Sequence, residues 1–318
     1  MMTRINHQPV VLKGGIHRRD ATERFRASGR SFKLPAIGVA ALLASCMGIQ
    51  SATAGLPALT EKPWLGYFCV AKNRAYELTV TSQGEIRLLP HNDKGQVLSS
   101  YIDIPISVGI EEILPDGKFR SLKILPETLE STDPATDKLK KAVIRGKVTG
   151  GAAFEASIEE SRGAISIGGR VTDPGTETKN PLRFHVVSTI PYYSGGIKKD
   201  TPEKRMAYEA TVKSDYVETK WTDGKRHKEM FVTAVDASSP EINGPGIASA
   251  EIGIALFQTR KFLLSASSNS AMRFANANSA PTEAGTHVRP LYEGIIMTWT
   301  ADQKKDPNGL ARLVLQIK

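Results

Sequence analysis

The sequence contains few of the residues that build disulfide-stabilised or metal-dependent proteins. It has only two cysteines in 318 residues, Cys46 and Cys69, which are too few for a disulfide framework. Beyond residue 54 the chain has four histidines: His91, His185, His227 and His287. None of them has a histidine, cysteine or carboxylate partner at the spacing of a metal site. We therefore expect no metal ion and no cofactor, and a fold that depends on packing.

Catalytic motifs are also absent. The segment Gly163–Gly168 has the spacing Gly-x-x-Ser-x-Gly instead of that of a nucleophile elbow, and its alternation predicts a strand. The Gly-Lys pairs at residues 117–118, 146–147 and 224–225 are not followed by serine or threonine, so they do not form a phosphate-binding loop. No catalytic residue is predicted, and this favours a protein that is not an enzyme.

The apolar run Leu34–Ile49 has 16 residues, fewer than the roughly 20 that a membrane-spanning helix needs. It follows a basic flank that ends at Lys33, and it is followed by the small-residue sequence Ala-Thr-Ala at residues 52–54. A basic flank, an apolar stretch and an Ala-x-Ala site are the three parts of a secretory signal peptide. We expect residues 1–54 to be a cleaved leader and residues 55–63 to be a linker.

Two other interpretations of the leader stay open. Leu43–Cys46 has the sequence Leu-Ala-Ser-Cys of a bacterial lipobox, in which Cys46 would be lipidated. Against it, Met47–Ile49 continues the apolar run. An arginine-rich transit peptide is a third interpretation, which the Ala-x-Ala boundary disfavours. A signal peptide and a lipobox both predict export, to the periplasm, the cell envelope or the outside of the cell, with membrane contact only through the lipid.

The net charge of +9 belongs mostly to the leader. Residues 1–54 hold eight basic and two acidic side chains, a net of +6, which leaves +3 for the remaining residues. A nucleic-acid-binding protein would need a strongly basic mature surface. Nucleic acid is therefore disfavoured as a partner.

Alternating apolar and polar residues predict β-strands through most of the mature chain. The alternation is clearest at Tyr76–Val80, Phe154–Glu159, Leu182–Val186 and Leu313–Ile317. Turn residues separate these runs, so we expect a mostly antiparallel all-β protein, either a sandwich or a barrel. The one predicted helix is Ala135–Lys141, which follows Thr-Asp-Pro.

Two sequence matches suggest an internal duplication. Ala75–Val80 (Ala-Tyr-Glu-Leu-Thr-Val) is similar to Ala207–Val212 (Ala-Tyr-Glu-Ala-Thr-Val), and Gly-Thr followed by Pro-Leu occurs at both residues 175–182 and residues 285–291. The first copy would have extra residues around Ile110–Lys140. We predict two tandem β-rich domains, residues 64–192 and 203–318. The alternative is that Tyr-x-x-Thr-Val is common in strands and the match is accidental.

The hairpin signal Asp223-Gly224 carries the most distinctive patch. The predicted surface contacts are Trp221, Lys225, Arg226 and Lys228. An aromatic residue among cations can bind an anionic polysaccharide or a lipid surface. The simpler interpretation is that charges keep the hairpin soluble. Trp64, Tyr67 and Phe68, by contrast, are expected to close the core.

These observations predict an exported, non-enzymatic envelope or secreted protein with a binding or structural role. The alternative is a secreted carbohydrate-binding or carbohydrate-acting module of the same architecture. A β architecture by itself implies neither function.

Overall fold

The computed structural model describes residues 55–98, 103–177, 179–191, 201–231, 242–244, 246–257, 260–278 and 291–318. The predictions about the leader and about lipidation of Cys46 lie outside these residues. In the described part of the chain, no helix is both long and apolar enough to cross a bilayer.

Strands dominate the described residues, which confirms the prediction of a mostly antiparallel all-β fold. The first ten strands are β1 (Tyr67–Lys72), β2 (Tyr76–Thr81), β3 (Ile86–Pro90), β4 (Ile104–Ile113), β5 (Phe119–Ser121), β6 (Ile124–Glu130), β7 (Lys141–Val148), β8 (Ala153–Ser161), β9 (Ala164–Asp173) and β10 (Leu182–Ile190). They are followed by helix α1 (Pro202–Val212), β11 (Tyr216–Trp221), β12 (Arg226–Met230), β13 (Ile242–Gly244), β14 (Ile247–Gly253), β15 (Lys261–Ala266), β16 (Ser270–Asn278), β17 (Tyr292–Ala301) and β18 (Leu313–Ile317). Single turns of 3-10 helix lie at Pro63–Leu65 and Ala255–Phe257.

The strands form two sheets. Sheet I has the order β1-β2-β3-β4-β10-β17-β16-β13, with β5 also paired to β4. Sheet II has the order β12-β11-β14-β15-β18-β9-β8-β7-β6. Phe154 of sheet II lies 6.5 Å from Phe184 of sheet I, whose ring is 6.4 Å from that of Trp299. The buried faces of the two sheets therefore meet in a sandwich core.

Each half of the chain contributes strands to both sheets, and the two contributions have the same topology. The order β3-β4-β10-β17-β16 in sheet I corresponds to β14-β15-β18-β9-β8 in sheet II. In each half, two neighbouring strands are followed by a hairpin in the other sheet and then by a return strand. The return strands β10 and β18 pair with β17 and β9, which belong to the opposite half. The two repeats therefore interlock, and the predicted boundary, of which residues 192–200 lie outside the described residues, stays a prediction.

The first repeat has a long insertion. Strands β5, β6 and β7 lie between β4 and β8, whereas only residues 267–269 join the corresponding strands β15 and β16. This is the region, around Ile110–Lys140, where the sequence predicts extra residues.

The first of the two sequence matches that suggested the repeat does not correspond to equivalent strands, so the prediction that it made was wrong. Ala75–Val80 enters β2, but Ala207–Val212 is part of helix α1. Thr201 caps this helix by accepting a hydrogen bond from the Lys204 N–H, and Pro202 occupies its first turn. Tyr208 and Val212 are both buried. Residues four apart share a face in a helix as well as in a strand, so the pattern fits either structure.

The helix predicted at Ala135–Lys141 was also wrong. Thr136 forms a parallel bridge to β1, donating its N–H to the Phe68 carbonyl at 3.0 Å and accepting from the Val70 N–H at 2.9 Å. A main chain that bonds to a strand in this way cannot make helical bonds at the same residues.

The residues expected to close the core do so only in part. Phe68 is fully buried, as is its neighbour Cys69, and Tyr67 is half-buried, but Trp64 is 77% exposed because it lies in the 3-10 turn before β1. Burial, and to a smaller extent Asp133, raise the pKa of the Cys69 thiol to about 12. This thiol is a buried apolar group, as its sequence context indicates.

Candidate functional site: two outer faces

The predicted hairpin forms as expected between β11 and β12. Lys220 pairs with Arg226, and the turn is closed by a bond from the Trp221 N–H to the Lys225 carbonyl at 2.8 Å. Gly224 has φ of +86°, a conformation that glycine adopts without a steric cost. The Asp-Gly pair therefore fixes the place of the turn.

Trp221 anchors the hairpin to the neighbouring segment. Its ring is half-buried against Gly244 and Gly246, since a Cβ at Gly244 would lie 2.6 Å from the ring. Its Nε1–H donates to Thr219 Oγ1 at 3.2 Å. The glycines leave the space that the indole occupies, so most of this side chain serves packing.

The cations of the hairpin have local partners. Lys225 Nζ lies 3.0 Å from Asp223, Arg226 lies 3.5 Å from Glu218, and Lys228 Nζ lies 3.7 Å from the centre of the Tyr216 ring. These contacts reduce the positive potential that the sequence suggested. The role of these residues in surface binding stays a prediction.

A groove of about 370 Å³ lies beside the hairpin, on the outer face of sheet II. Because side chains alternate along a strand, cross-strand partners form rows on this face. One row, in order of pairing, is Lys220, Ser249, Ser265 and Val314. The next row is Glu218, Glu251, Leu263 and Gln316. Of the four predicted contacts, only Arg226 lines this groove.

The charges of the groove are balanced. Glu251 accepts hydrogen bonds from Lys261 Nζ at 2.7 Å and from the Tyr216 hydroxyl at 2.6 Å. These two bonds hold the pKa of Glu251 below its usual value. Glu218 faces Arg226, so both carboxylates of the groove stand next to cations. Because its charges are paired in this way, the groove presents hydrogen-bond donors and acceptors around the apolar side chains of Leu263 and Val314.

The equivalent strands of sheet I carry a cluster of charged residues. Glu111 of β4 bonds to Arg183 and His185 of β10 and to Arg273 of β16, the last two at 3.3 and 2.9 Å. Both guanidinium groups also lie over the Phe119 ring, 4.3 and 4.0 Å from its centre. Burial opposes the ionisation of Glu111, but the bond from His185 and the arginine charges outweigh it and lower its pKa to about 2. We call Glu111, Arg183, His185 and Arg273 the Glu111 cluster.

Sequence reasoning missed both arrangements. His185 lies on the outer face of its strand, next to the buried core residues Phe184 and Val186, but it is only 4% exposed and lies 3.3 Å from Glu111. The sequence did contain one indication of the Glu111 cluster, because two adjacent acidic residues, Glu111 and Glu112, lie in an apolar strand. The partners of Glu111 come from strands more than 70 residues away, which a single sequence does not pair.

No protein-family model and no curated protein matches this chain. Within the described ranges, no group of three or more histidine, cysteine or carboxylate side chains has the arrangement of a metal site.

Proposed function

We propose that this protein is an exported, non-enzymatic binding protein of the cell envelope or extracellular space, and that the groove on sheet II binds a neutral, hydroxyl-rich chain such as a polysaccharide segment. The observation that carries the proposal is the composition of the groove. Balanced charges, hydroxyls and an amide surround an apolar floor made by Leu263 and Val314. Sugar hydroxyls both donate and accept, and sugar C–H faces pack on apolar side chains.

An anionic ligand fits this groove less well. Glu218 and Glu251 would repel it, and Arg226, Lys261 and Lys228 already have acidic or aromatic partners. The groove is also unlike the site of a glycoside hydrolase, which needs one carboxyl group with a raised pKa as its acid. The pKa of Glu251 is lowered instead, so the geometry favours binding over hydrolysis.

A glycan array probed with the purified protein, followed by calorimetry with the best soluble neutral glycan, tests this proposal. We expect binding to neutral glycans in preference to acidic ones. Ser265→Trp fills the groove from an exposed position and should abolish binding. Ser161→Trp, at an exposed position on β8 outside the groove, is the matched control and should bind normally. Binding to acidic glycans alone, or unchanged binding by Ser265→Trp, would contradict the proposal.

Export is tested separately by intact-mass analysis of the protein from its native host. The leader predicts an N-terminus at Gly55 after cleavage or at a lipidated Cys46. A mature protein that still carries Lys33 and Leu34 would rule out both forms of processing.

A further inference from the structure

Sheet I contains a gap on the side of β4 that faces β3. Strand β3 pairs with Ile104–Ile106 and β5 pairs with Glu111–Ile113, so in the described ladder Ser107–Gly109 have no strand partner on this side. A cavity of about 680 Å³ opens there, between the turn that precedes β3 and the segment Ser121–Pro126. We call this cavity the slot.

Main-chain groups of β4 face the slot. The Ile110 carbonyl accepts from the Leu122 N–H at 2.9 Å, and Ile106 pairs with Ile86 on the same side. Alternate residues of a strand direct their N–H and C=O groups to the same side. The N–H and C=O of Val108 therefore point into the slot, where no strand bonds them.

His185 lines the slot and is only 4% exposed. Its Nδ1 lies 3.3 Å from Glu111, and its Nε2 would lie 3.7 Å from a Cβ at Gly109, so the ring sits over this glycine. A carboxylate can only accept, so Nδ1 carries the proton of that bond. Nε2 is the ring nitrogen left for a ligand.

The charge around the slot favours an anion. Behind His185, the single carboxylate of Glu111 faces two guanidinium groups, those of Arg183 and Arg273. Lys123 adds a third cation at the wall, and Arg87 with its partners Glu85 and Asp103 carries one net negative charge, so these groups together keep a net of one positive charge without counting His185. The remaining wall is largely apolar, with side chains of Leu122, Ile124, Pro126 and Val187.

We propose that the slot binds a small organic carboxylate with an apolar body. The carboxylate accepts from His185 Nε2–H and from the Val108 N–H, and the apolar body packs on Leu122 and Ile124. The second proton on the imidazole comes from solvent, so an imidazolium lies between the ligand carboxylate and Glu111. This site is distinct from the groove on sheet II and does not depend on the function proposed for it.

Calorimetry of the purified protein with octanoate, octanol and octylamine tests the proposal, because these probes share an apolar chain and differ in the charge of the head. We expect octanoate to bind at least about tenfold more tightly than octanol, and octylamine to bind most weakly. Equal affinities for the three probes, or no binding of octanoate at millimolar concentration, would overturn the proposal.

Two variants test whether octanoate binds in the slot. His185→Gln should weaken octanoate binding about tenfold and change octanol binding little, since it removes the cation and keeps most of the volume. Ser107→Phe blocks the slot from an exposed position and should abolish binding without affecting the core. His227→Gln, on the exposed hairpin, is the control and should bind octanoate normally. Unchanged binding by Ser107→Phe would show that octanoate binds elsewhere and would sink the assignment.

Discussion

The outer faces of the two sheets occupy equivalent places in the repeat and carry different chemistry. On sheet I, strands β4, β10 and β16 hold the Glu111 cluster, in which Glu111 and His185 are buried. On sheet II, the equivalent strands β15 and β18 present Leu263, Ser265 and Gln316 along an open groove. The topology determines where the two faces lie, and the residues at alternate strand positions determine what each face can bind.

The insertion in the first repeat explains why the charged residues on the outer face of sheet I are more buried than those on the outer face of sheet II. Strand β5 pairs with the end of β4 and places Phe119 against Arg183 and Arg273, so the charges below it are shielded from water. In the second repeat, the three residues between β15 and β16 are too few to cover the sheet face. Charges on that face stay near solvent and form ordinary surface pairs.

The largest expected effect compares one glutamate from each face. Glu111→Ala leaves two arginines and a histidine without their carboxylate in a buried cluster, so it should lower the free energy of unfolding by about 3–5 kcal/mol. Glu251→Ala removes a half-exposed pair and should cost less than about 1 kcal/mol. Urea denaturation of both variants measures the difference. Similar losses at the two positions would mean that the faces do not differ in burial as described.

The pH dependence of stability separates Glu111 from Asp215, a buried carboxyl that accepts from the Tyr292 hydroxyl at 3.0 Å. The pKa of Glu111 is lowered from 4.5 to about 2. Its ionised form therefore stabilises the fold above pH 4.5, and about 3 kcal/mol is lost as the pH falls from 4.5 toward 2.

The pKa of Asp215 is shifted in the opposite direction, so its contribution to stability has the opposite dependence on pH. Burial raises its pKa from 3.8 to about 6, against the bonds from the Ala255 N–H and Tyr292. Its contribution is present below pH 3.8, and about 3 kcal/mol is lost as the pH rises through 6. Urea denaturation from pH 2.5 to 7 should show that Glu111→Gln flattens the acidic side of the profile and that Asp215→Asn flattens the other side. If the free energy of unfolding of either variant depends on pH as in the wild type, the replaced carboxyl group is not the cause of that side of the profile.

The smallest expected effect concerns the hairpin beside the groove. Lys225 and Arg226 are exposed and form only surface pairs, so replacing both by alanine should shift the Tm by no more than about 2 °C. Thermal unfolding followed by circular dichroism measures this. A large fall in Tm would give the hairpin cations a structural role that their exposure does not suggest.

The sequence was sufficient for the class of fold because alternation is a local signal. The four strands with the clearest alternation all formed, as did the Asp-Gly hairpin at residues 223–224. It was insufficient for Ala207–Val212, where a spacing of four fits a helix as well as a strand, and where Thr201 and Pro202 favour the helix.

Most residues of the two candidate sites could not be predicted from the sequence alone. The groove depends on the pairing of β14, β15 and β18, and the Glu111 cluster depends on strands β4, β10 and β16. Strand pairing between distant segments is set by the whole sandwich and not by any local pattern. Arg226 was the one predicted contact found at the groove, and it lies on β12 of the hairpin that borders the groove.

The central claim is that the two repeats interlock through β10 with β17 and β18 with β9, and that this produces the two equivalent faces. Expressing residues 55–195 and 196–318 as separate chains, and following their thermal unfolding by circular dichroism, tests it most directly. Neither fragment alone should show a cooperative transition, because its return strand lacks the partner from the other half, β17 for β10 and β9 for β18, whereas the mixture should refold and unfold cooperatively. A cooperative transition in each isolated fragment would contradict interlocking and would favour two tandem domains.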